Sequence, residues 1–393
     1  MNTARPKLPY AAIPYLCFFL LISAWAVVQP QYTWDLVGYI GASVDSTDAQ
    51  TIHDVTFAAI KPIASDKEIQ PDNPYRADVT ANPYHFAEQL PFYSIKPAYV
   101  ALIIGFHRLG MPFPKSAVAI SAASNFLLAL LLWRWLSPYL SGLPLAGACT
   151  LIMLSPNILG LARWATPDCL TTFVAALGMY LILERRLYFW GCSLLVLDVW
   201  VRTDALVLVG IVAAVLLLRS KLDFLQFASL SLLGLVSYFT INHFSGNYGW
   251  PALFYNSFLG GLNAPGETLI HISRSAYIHQ IVRGSYLWLV SGSFALYLLL
   301  GGLAIWLNRS SMYSDMIFAV LATRAICYAL YPNGDLRYTA VLFLVIPVAL
   351  VIGVCLSARS GSISERKTLE SSENSVAGPQ LRPDPAISGA AVR

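Results

Sequence analysis

The amino-acid sequence predicts an all-α protein, a polytopic transmembrane helical bundle with about ten spans. Apolar residues make up 57% of the 393-residue chain and charged residues only 12%, whereas about a quarter of the residues in soluble domains are charged. Long apolar runs recur along the whole chain, and runs of about 20 apolar residues are typical of transmembrane helices. This pattern excludes an ordinary soluble domain.

The net charge and the cysteines exclude two further classes of protein. The formal net charge of +4 is small and scattered, whereas nucleic-acid-binding proteins carry a concentrated basic surface. All six cysteines lie in or beside apolar runs, without CxxC spacing. This placement favours small core residues over a disulfide framework or a cysteine metal site. We therefore expect no nucleic-acid partner.

The first apolar run covers residues 10–28 and follows two basic residues, which predicts a retained helix with its N-terminus in the cytoplasm. The first loop segment, residues 29–114, follows and contains nine of the chain's 21 acidic residues. Long loops in compact proteins are usually functional, and this one is predicted to be extracytoplasmic and to contain short amphipathic helices. Its last apolar stretch, residues 96–110, is too short to cross the membrane.

Nine further spans alternate across the membrane when the basic end of each span faces the cytoplasm. Their predicted bounds are 115–135, 142–161, 169–183, 187–201, 205–218, 224–241, 286–307, 314–331 and 339–356. The second loop segment, residues 242–283, is predicted to lie on the outer side. Residues 1–357 then form one transmembrane domain, and residues 358–393, rich in Ser, Glu, Pro and Gly, are predicted to be a disordered cytoplasmic tail.

This topology gathers ionisable residues at the outer boundary of the membrane, where charges are costly and are usually paired or functional. The group comprises Asp35, Lys96, Arg163, Asp168, Arg202, Asp204 and Arg337. Asp35 lies between Trp34 and a run that ends at Tyr39. Cations and carboxylates collected on one side suit an anionic lipid headgroup that reacts with a second substrate.

Three of these charges have a purely structural alternative. Asp35 would be a solvated boundary carboxylate, with Trp34 and Tyr39 in the aromatic belt of the membrane surface. Lys96 would precede an ordinary helix start, with its amine reaching to water. Arg337 would pair with a neighbouring acid in its own loop.

The remaining charges have structural alternatives as well. Arg202 lies four residues after Asp198, a spacing that pairs side chains on one face of a helix. Asp204 would complete that ion pair. Arg163 and Asp168 would cap the two helix ends on either side of a proline turn.

Five short motifs occur in order on the predicted outer side. They are the Trp-Asp of QYTWDL, the Lys-Pro of FYSIKPAYVALIIGFHRLG, the Arg and Asp of SPNILGLARWATPDCLTTF, the Arg of VRTDAL and the Arg-Tyr of GDLRYTA. They cover most of residues 30–210 and recur near 331–345. In this order they resemble the motifs of the GT-C class of polyprenyl-phosphate-dependent membrane glycosyltransferases. That class includes the protein O-mannosyltransferases and the aminoarabinose transferase of lipid A.

The resemblance implies an inverting transfer of a sugar from a polyprenyl-phosphate donor to an acceptor hydroxyl on the outer face, without a cofactor. A carboxylate must take the proton of the attacking hydroxyl, and Asp35 is the candidate catalytic base. Cations must stabilise the leaving phosphate. The candidate phosphate ligands are Lys96, Arg202, Arg337 and Arg163, and the residues expected to orient the acceptor are Asp168, Asp204 and Tyr39.

Two departures from the family's motifs argue against a metal-dependent reaction. Ile95 stands where relatives often carry a glutamate before the Lys-Pro. No second acid follows Asp168 at the position two residues on, where oligosaccharyltransferase subunits use one with a metal. We therefore expect no required metal.

A catalytically inactive scaffold of the same fold is one alternative. Another is a membrane transporter or a lipid-linked sugar flippase. Such proteins place ionisable groups near the middle of the bilayer and contain internal repeats, whereas the charges here collect at one face and no repeat is visible in the sequence. We expect a multi-pass protein of a bacterial inner membrane, with its site facing the periplasm. Its expected partners are the lipid donor, membrane lipid and an acceptor that is a glycan, a lipid or a protein.

Overall fold

The computed structural model describes residues 10–63, 69, 71–290, 293–309, 311–333 and 340–376. Regular secondary structure in this part is helical, with one isolated β-bridge and no strand, so the all-α prediction is confirmed. The helices are α1 (Ala12–Val28), α2 (Asp35–Gly41), α3 (Ala49–Ile60), a 3₁₀ turn (Lys61–Ile63), α4 (Pro74–Ala81), α5 (Pro83–Gln89), α6 (Pro91–Ser94), α7 (Pro97–Arg108), α8 (Phe113–Leu136), α9 (Gly142–Met153), α10 (Pro156–Arg163), α11 (Asp168–Leu183), α12 (Tyr188–Val201), α13 (Ala205–Leu218), α14 (Phe224–Phe244), α15 (Trp250–Phe258), α16 (Arg274–Val290), α17 (Ser293–Leu307), α18 (Met312–Leu330) and α19 (Ala340–Val376).

Four helices of the described part are long and apolar enough to cross a membrane: α8, α14, α18 and residues Ala340–Arg359 of α19. Two bent pairs, α9 with α10 at 67° and α16 with α17 at 77°, raise the number to six if each pair forms one span. The shorter apolar helices are α1, α11, α12 and α13. They have fewer residues than the roughly 20 that cross the hydrocarbon core. The structure supports four to six spans, and the count of about ten stays a prediction.

Helices α11 and α12 pack closely because glycines face each other at their contact. A Cβ added at Gly191 would lie 2.5 Å from a side-chain carbon of Ile182 and 2.8 Å from the carbonyl oxygen of Gly178. Small residues let helix backbones approach each other in membrane proteins. This pair carries two of the charged residues of the candidate site at its ends.

Prolines set the starts of four short helices in the first loop segment. Helices α4, α5, α6 and α7 each begin with proline, a residue favoured at the first helical position because its missing N–H has no partner there. Asn73 accepts a hydrogen bond from the N–H of Arg76 at 2.8 Å, and Asn82 accepts one from the N–H of Tyr84 at 3.0 Å. These caps satisfy N–H groups that the helix leaves without a partner.

The first loop segment has its own hydrophobic core, distinct from the core of the helical bundle. Leu36, Phe86, Tyr99 and Ile103 are almost fully buried in it. The same core includes Val118 of α8. The segment is therefore a folded layer fixed to the start of α8 rather than a loose connection.

Two predicted boundaries differ from the structure. Helix α16 begins at Arg274, inside the second loop segment (242–283), because residues 274–283 contain no proline or glycine that would interrupt a helix. Helix α19 continues past residue 358 to Val376, whereas the sequence predicted a disordered tail from that point. The Glu, Lys and Arg residues there have high helix propensity. Residues 377–393 lie outside the described part.

The glycine contact between α11 and α12 yields a prediction on stability. We expect Gly191→Val to lower the free energy of unfolding by about 1–3 kcal/mol, because overpacking forces the two helices apart. Gly210→Val is the matched control, since an added Cβ at Gly210 meets no heavy atom within 4 Å. Thermal unfolding of both variants in detergent, followed by circular dichroism, measures the difference. Equal midpoints for the two variants would contradict the close packing.

Candidate active site

A central cavity of about 460 Å³ lies where the first loop segment meets the ends of α11, α12, α14 and α18 and the helix α15. Six of the eight residues predicted for the site line it, although they come from separate parts of the chain. They are Asp35, Tyr39, Lys96, Asp168, Arg202 and Asp204. The structure therefore brings most of the predicted residues together around one space.

Arg202 is held between two carboxylates at the cavity wall. Its Nε and Nη2 donate to the two carboxylate oxygens of Asp204 at 3.0 and 2.9 Å, and its Nη1 donates to Asp168. The side chains of Arg202 and Asp168 are only 11% and 3% exposed, whereas that of Asp204 is 49% exposed. Burial alone would raise the pKa of Asp204, but the charge of Arg202 and these hydrogen bonds outweigh burial and lower it.

The i,i+4 ion pair between Asp198 and Arg202, an alternative raised by the sequence, is not present. Helix α12 ends at Val201, and Arg202 has an extended backbone with φ −149° and ψ 121°. Its side chain therefore leaves the helical face on which that spacing depends. Asp198 instead accepts hydrogen bonds from the hydroxyl of Thr171 at 2.7 and 2.8 Å.

Lys96 lies at the start of α7, with its amine in contact with the cavity wall. Its Nζ donates to the carbonyl oxygen of Phe92 at 3.1 Å and lies 5.2 Å and 5.6 Å from the ring centroids of Tyr39 and Tyr93. Removal from water lowers the pKa of Lys96 to about 8, and the negative charge of Asp35 opposes that shift. The amine thus contacts the aromatic wall of the cavity, which differs from the alternative of a side chain reaching out to water.

Asp35 is the first residue of α2 and lines the cavity half-buried. A carboxylate at this position is stabilised by the positive end of the helix dipole. Tyr39 follows one turn later, is 3% exposed and packs against the rings of Tyr93 and Tyr99. Burial raises the pKa of Tyr39, and the charge of Asp35 raises it further, so its phenol stays a neutral hydrogen-bond donor.

One of the predicted cations, Arg163, is not among the lining residues. Arg163 donates from Nε to the carbonyl oxygen of Gln29 at 2.9 Å, and its guanidinium lies 4.7 Å from the ring centroid of Trp25. These contacts tie the end of α10 to the end of α1, away from the central cavity. Arg337 lies outside the described residues.

Arg324 lines the cavity and was missed by the sequence analysis. It lies inside α18, is 7% exposed, stacks 4.4 Å from the ring centroid of Trp288 and donates to the carbonyl oxygen of Asn333 at 3.0 Å. It also lines a smaller inner cavity of about 80 Å³ beside Asp198 and Thr171. The sequence does contain a sign of its importance, because Arg324 is a cation within an apolar run. Such a residue in a membrane protein is a candidate for function.

The rest of the wall combines aliphatic and aromatic side chains. Leu206, Val207, Leu253 and Leu330 face the cavity together with Trp250. Three further aromatic residues of the second loop segment, Tyr248, Phe254 and Tyr255, are not among the lining residues. The hydroxyl of Tyr248 donates to Glu88 at 2.9 Å, and Phe254 is fully buried.

The charges of the cavity divide into two sets. Among the described lining residues, three are acidic (Asp35, Asp168 and Asp204) and three are basic (Lys96, Arg202 and Arg324). Arg202 is bound to Asp168 and Asp204, and Asp35, Lys96 and Arg324 line the same space. Basic and acidic side chains thus lie around one cavity, an arrangement that suits an anionic ligand beside a carboxylate. In the described part of the chain, no group of three or more His, Cys, Asp or Glu residues is arranged to hold a metal ion.

Comparison of the chain with protein-family models, with curated proteins and with solved structures finds no match.

The clamp around Arg202 yields a second prediction on stability. We expect Arg202→Met to lower the free energy of unfolding by about 3–5 kcal/mol, because the nearly buried carboxylate of Asp168 loses its partner. Adding Asp168→Asn in the same chain should restore part of the loss. Thermal unfolding in detergent compares the single and double variants. A wild-type midpoint for Arg202→Met would show that the clamp does not support the fold.

Proposed function

We propose that the protein is an inverting glycosyltransferase that moves a sugar from a polyprenyl-phosphate donor to an acceptor hydroxyl. The observation that carries the proposal is the convergence of Asp35, Lys96 and the Arg202 clamp on one cavity with an apolar wall. We place the reaction on the outer face of a bacterial inner membrane. The candidate spans are compatible with a multi-pass membrane protein.

Asp35 is the proposed catalytic base. Its carboxylate takes the proton of the acceptor hydroxyl while the hydroxyl oxygen attacks the anomeric carbon of the donor sugar. The bond from that carbon to the phosphate oxygen breaks, and polyprenyl phosphate leaves with the electron pair. The phosphate is a good leaving group, so one carboxylate suffices, in contrast to the paired acids of glycoside hydrolysis.

Lys96 and Arg324 are the proposed ligands of the leaving phosphate. Both line the cavity, and positive charge aimed at a phosphate stabilises the charge that develops as the sugar leaves. Arg202 is a positioning residue in this proposal, because its guanidinium is bound to Asp168 and Asp204. Tyr39 keeps its proton, as its raised pKa requires, and donates a hydrogen bond that orients the acceptor or the donor phosphate.

The apolar wall supports a lipid-linked donor over a nucleotide sugar. Leu206, Val207, Leu253 and Leu330 present side chains that suit the first isoprene units next to the phosphate. Burial of apolar surface contributes about 25 cal/mol per Å². A polyprenyl phosphate requires cations for its phosphate and, next to them, aliphatic side chains for its isoprene units.

The first test of this proposal removes the base. We expect Asp35→Asn to reduce sugar transfer from polyprenyl-phosphate sugars by about 10²–10⁴-fold, the typical contribution of general base catalysis, while polyprenyl phosphate still binds. Asp45→Asn is the control, because Asp45 is an exposed acid of the same loop segment and does not line the cavity. Transfer to a panel of acceptors by purified protein in detergent provides the measurement. Full activity of Asp35→Asn would remove Asp35 as the base.

The second test uses the lowered pKa of Lys96. Lys96 is charged below about pH 8 and loses its proton above it, so kcat/KM for the donor should fall as pH rises through about 8. Lys96→Arg keeps its charge to above pH 12 and should move that fall to higher pH. Lys96→Met should have a low kcat/KM for the donor at every pH, because it has no charge at this position. An alkaline fall that stays at the same pH in Lys96→Arg would assign it to another group.

A transporter or flippase is the second candidate function, and one observation favours it. Asp198 and Arg324 lie buried within apolar helices and share the inner cavity, a feature that also marks ion pathways in transporters. If the protein is a glycosyltransferase, we expect folded Asp198→Asn protein to retain sugar transfer. Substrate flux in liposomes that is lost in Asp198→Asn, without sugar transfer by the wild type, would favour the transporter.

A further inference from the structure

A second open space lies between the two loop segments. This loop cleft has a volume of about 550 Å³ and is lined by Asn73, Pro74, Tyr75, Asn256, Gly261 and Asn263. Its volume is within the range of about 300–1,000 Å³ that is typical of small-molecule sites. The first loop segment contributes residues 73–75 and the second contributes residues 256–263.

The lining of the loop cleft has the chemistry of a neutral polar ligand site. Three of its side chains are asparagine amides and a fourth is the phenol of Tyr75. Asn73 bonds to Asp72 and to the N–H of Arg76, so its amide is already engaged, whereas each oxygen of this lining can accept one further hydrogen bond. None of the described lining residues is a lysine, arginine, aspartate or glutamate. The Asn263 side chain forms no hydrogen bond to the described part of the chain, so its amide is available to a ligand. Sugar hydroxyls, which both donate and accept hydrogen bonds, match this lining.

Hydrogen bonds within and between the two loop segments fix the shape of the loop cleft. The Tyr75 hydroxyl donates to Gln89 at 2.7 Å, and the Gln89 amide donates to the carbonyl oxygen of Leu262 at 2.6 Å. The N–H of Leu262 in turn donates to the side chain of Asn256 at 2.8 Å. Gln89 is 3% exposed. A site built on such a network is ordered before a ligand arrives, which reduces the entropy lost on binding.

The loop cleft adjoins the central cavity at one shared residue of the described chain. Asn256 lines both spaces. A ligand that occupies the loop cleft therefore ends beside the cavity that contains Asp35 and Lys96. This is the place from which an acceptor hydroxyl would approach the donor sugar.

We propose that the loop cleft binds a neutral glycan, which is the acceptor of the transferred sugar. The inference rests on the proposed glycosyltransferase function and assigns the class of its acceptor. The glycan hydroxyl forms the new bond to the anomeric carbon, its proton passes to Asp35, and polyprenyl phosphate leaves. An anionic acceptor would require cations in the cleft lining, and a lipid acceptor would require an apolar lining.

The direct test is binding of the purified protein in detergent to an immobilised panel of neutral oligosaccharides. We expect the wild type to bind at least one member of the panel, and Asn263→Trp to weaken that binding at least tenfold by filling the cleft. Gln50→Trp is the matched control, because Gln50 is exposed on α3 outside the cleft, and it should bind as the wild type does. If Asn263→Trp does not fold, Asn263→Ala takes its place with an expected loss of at least threefold.

Two results would overturn the glycan proposal: no oligosaccharide bound by the folded wild type, or binding that survives the Asn263 variants. Binding of polyprenyl phosphate is measured on the same samples and separates the two proposals. Polyprenyl phosphate bound without any oligosaccharide refutes the acceptor class alone. An oligosaccharide bound without polyprenyl phosphate refutes the glycosyltransferase and leaves a glycan-binding cleft.

Discussion

The central cavity depends on the guanidinium of Arg202, because this one group joins the ends of three helices. Asp168 is the first residue of α11, Arg202 follows the last residue of α12, and Asp204 directly precedes α13. The nearly buried carboxylate of Asp168 and the half-exposed carboxylate of Asp204 would repel each other without the cation between them. With Arg202 in place, three helix ends are fixed around one space, and the remaining wall is built on them.

The first loop segment brings the proposed chemistry to that wall. Prolines begin four of its short helices, and its own hydrophobic core attaches it to the start of α8. As a result Asp35 and Lys96, which are far apart in the sequence, face the same cavity. The second loop segment contributes further lining residues. It is attached to the first through Glu88, which accepts hydrogen bonds from Tyr248 and from the N–H of Gly266. The base and a cation of the proposed reaction are thus carried by one folded layer.

The distribution of charge separates support from chemistry within the cavity. Arg202 is matched by two acids, so its charge holds the architecture. Lys96 and Arg324 face the same space as Asp35, and a lowered amine pKa beside aromatic rings is the kind of environment found at functional sites. In the proposed reaction Lys96 and Arg324 hold the leaving phosphate, and Asp35 takes the proton of the acceptor.

The sequence by itself determined the helical class, because long apolar runs with few charges are a local property of the chain. The ends of these runs also placed Asp168, Arg202 and Asp204 at helix ends. It also identified six of the residues that line the cavity. Only the tertiary structure decided the partners: Arg202 binds Asp168, 34 residues away, rather than Asp198 on the preceding turn. It also separated Arg163 from the cavity and added Arg324 and the loop cleft. Contacts between distant segments depend on how helices and loops pack, and the spacing of residues along the chain does not predict that packing.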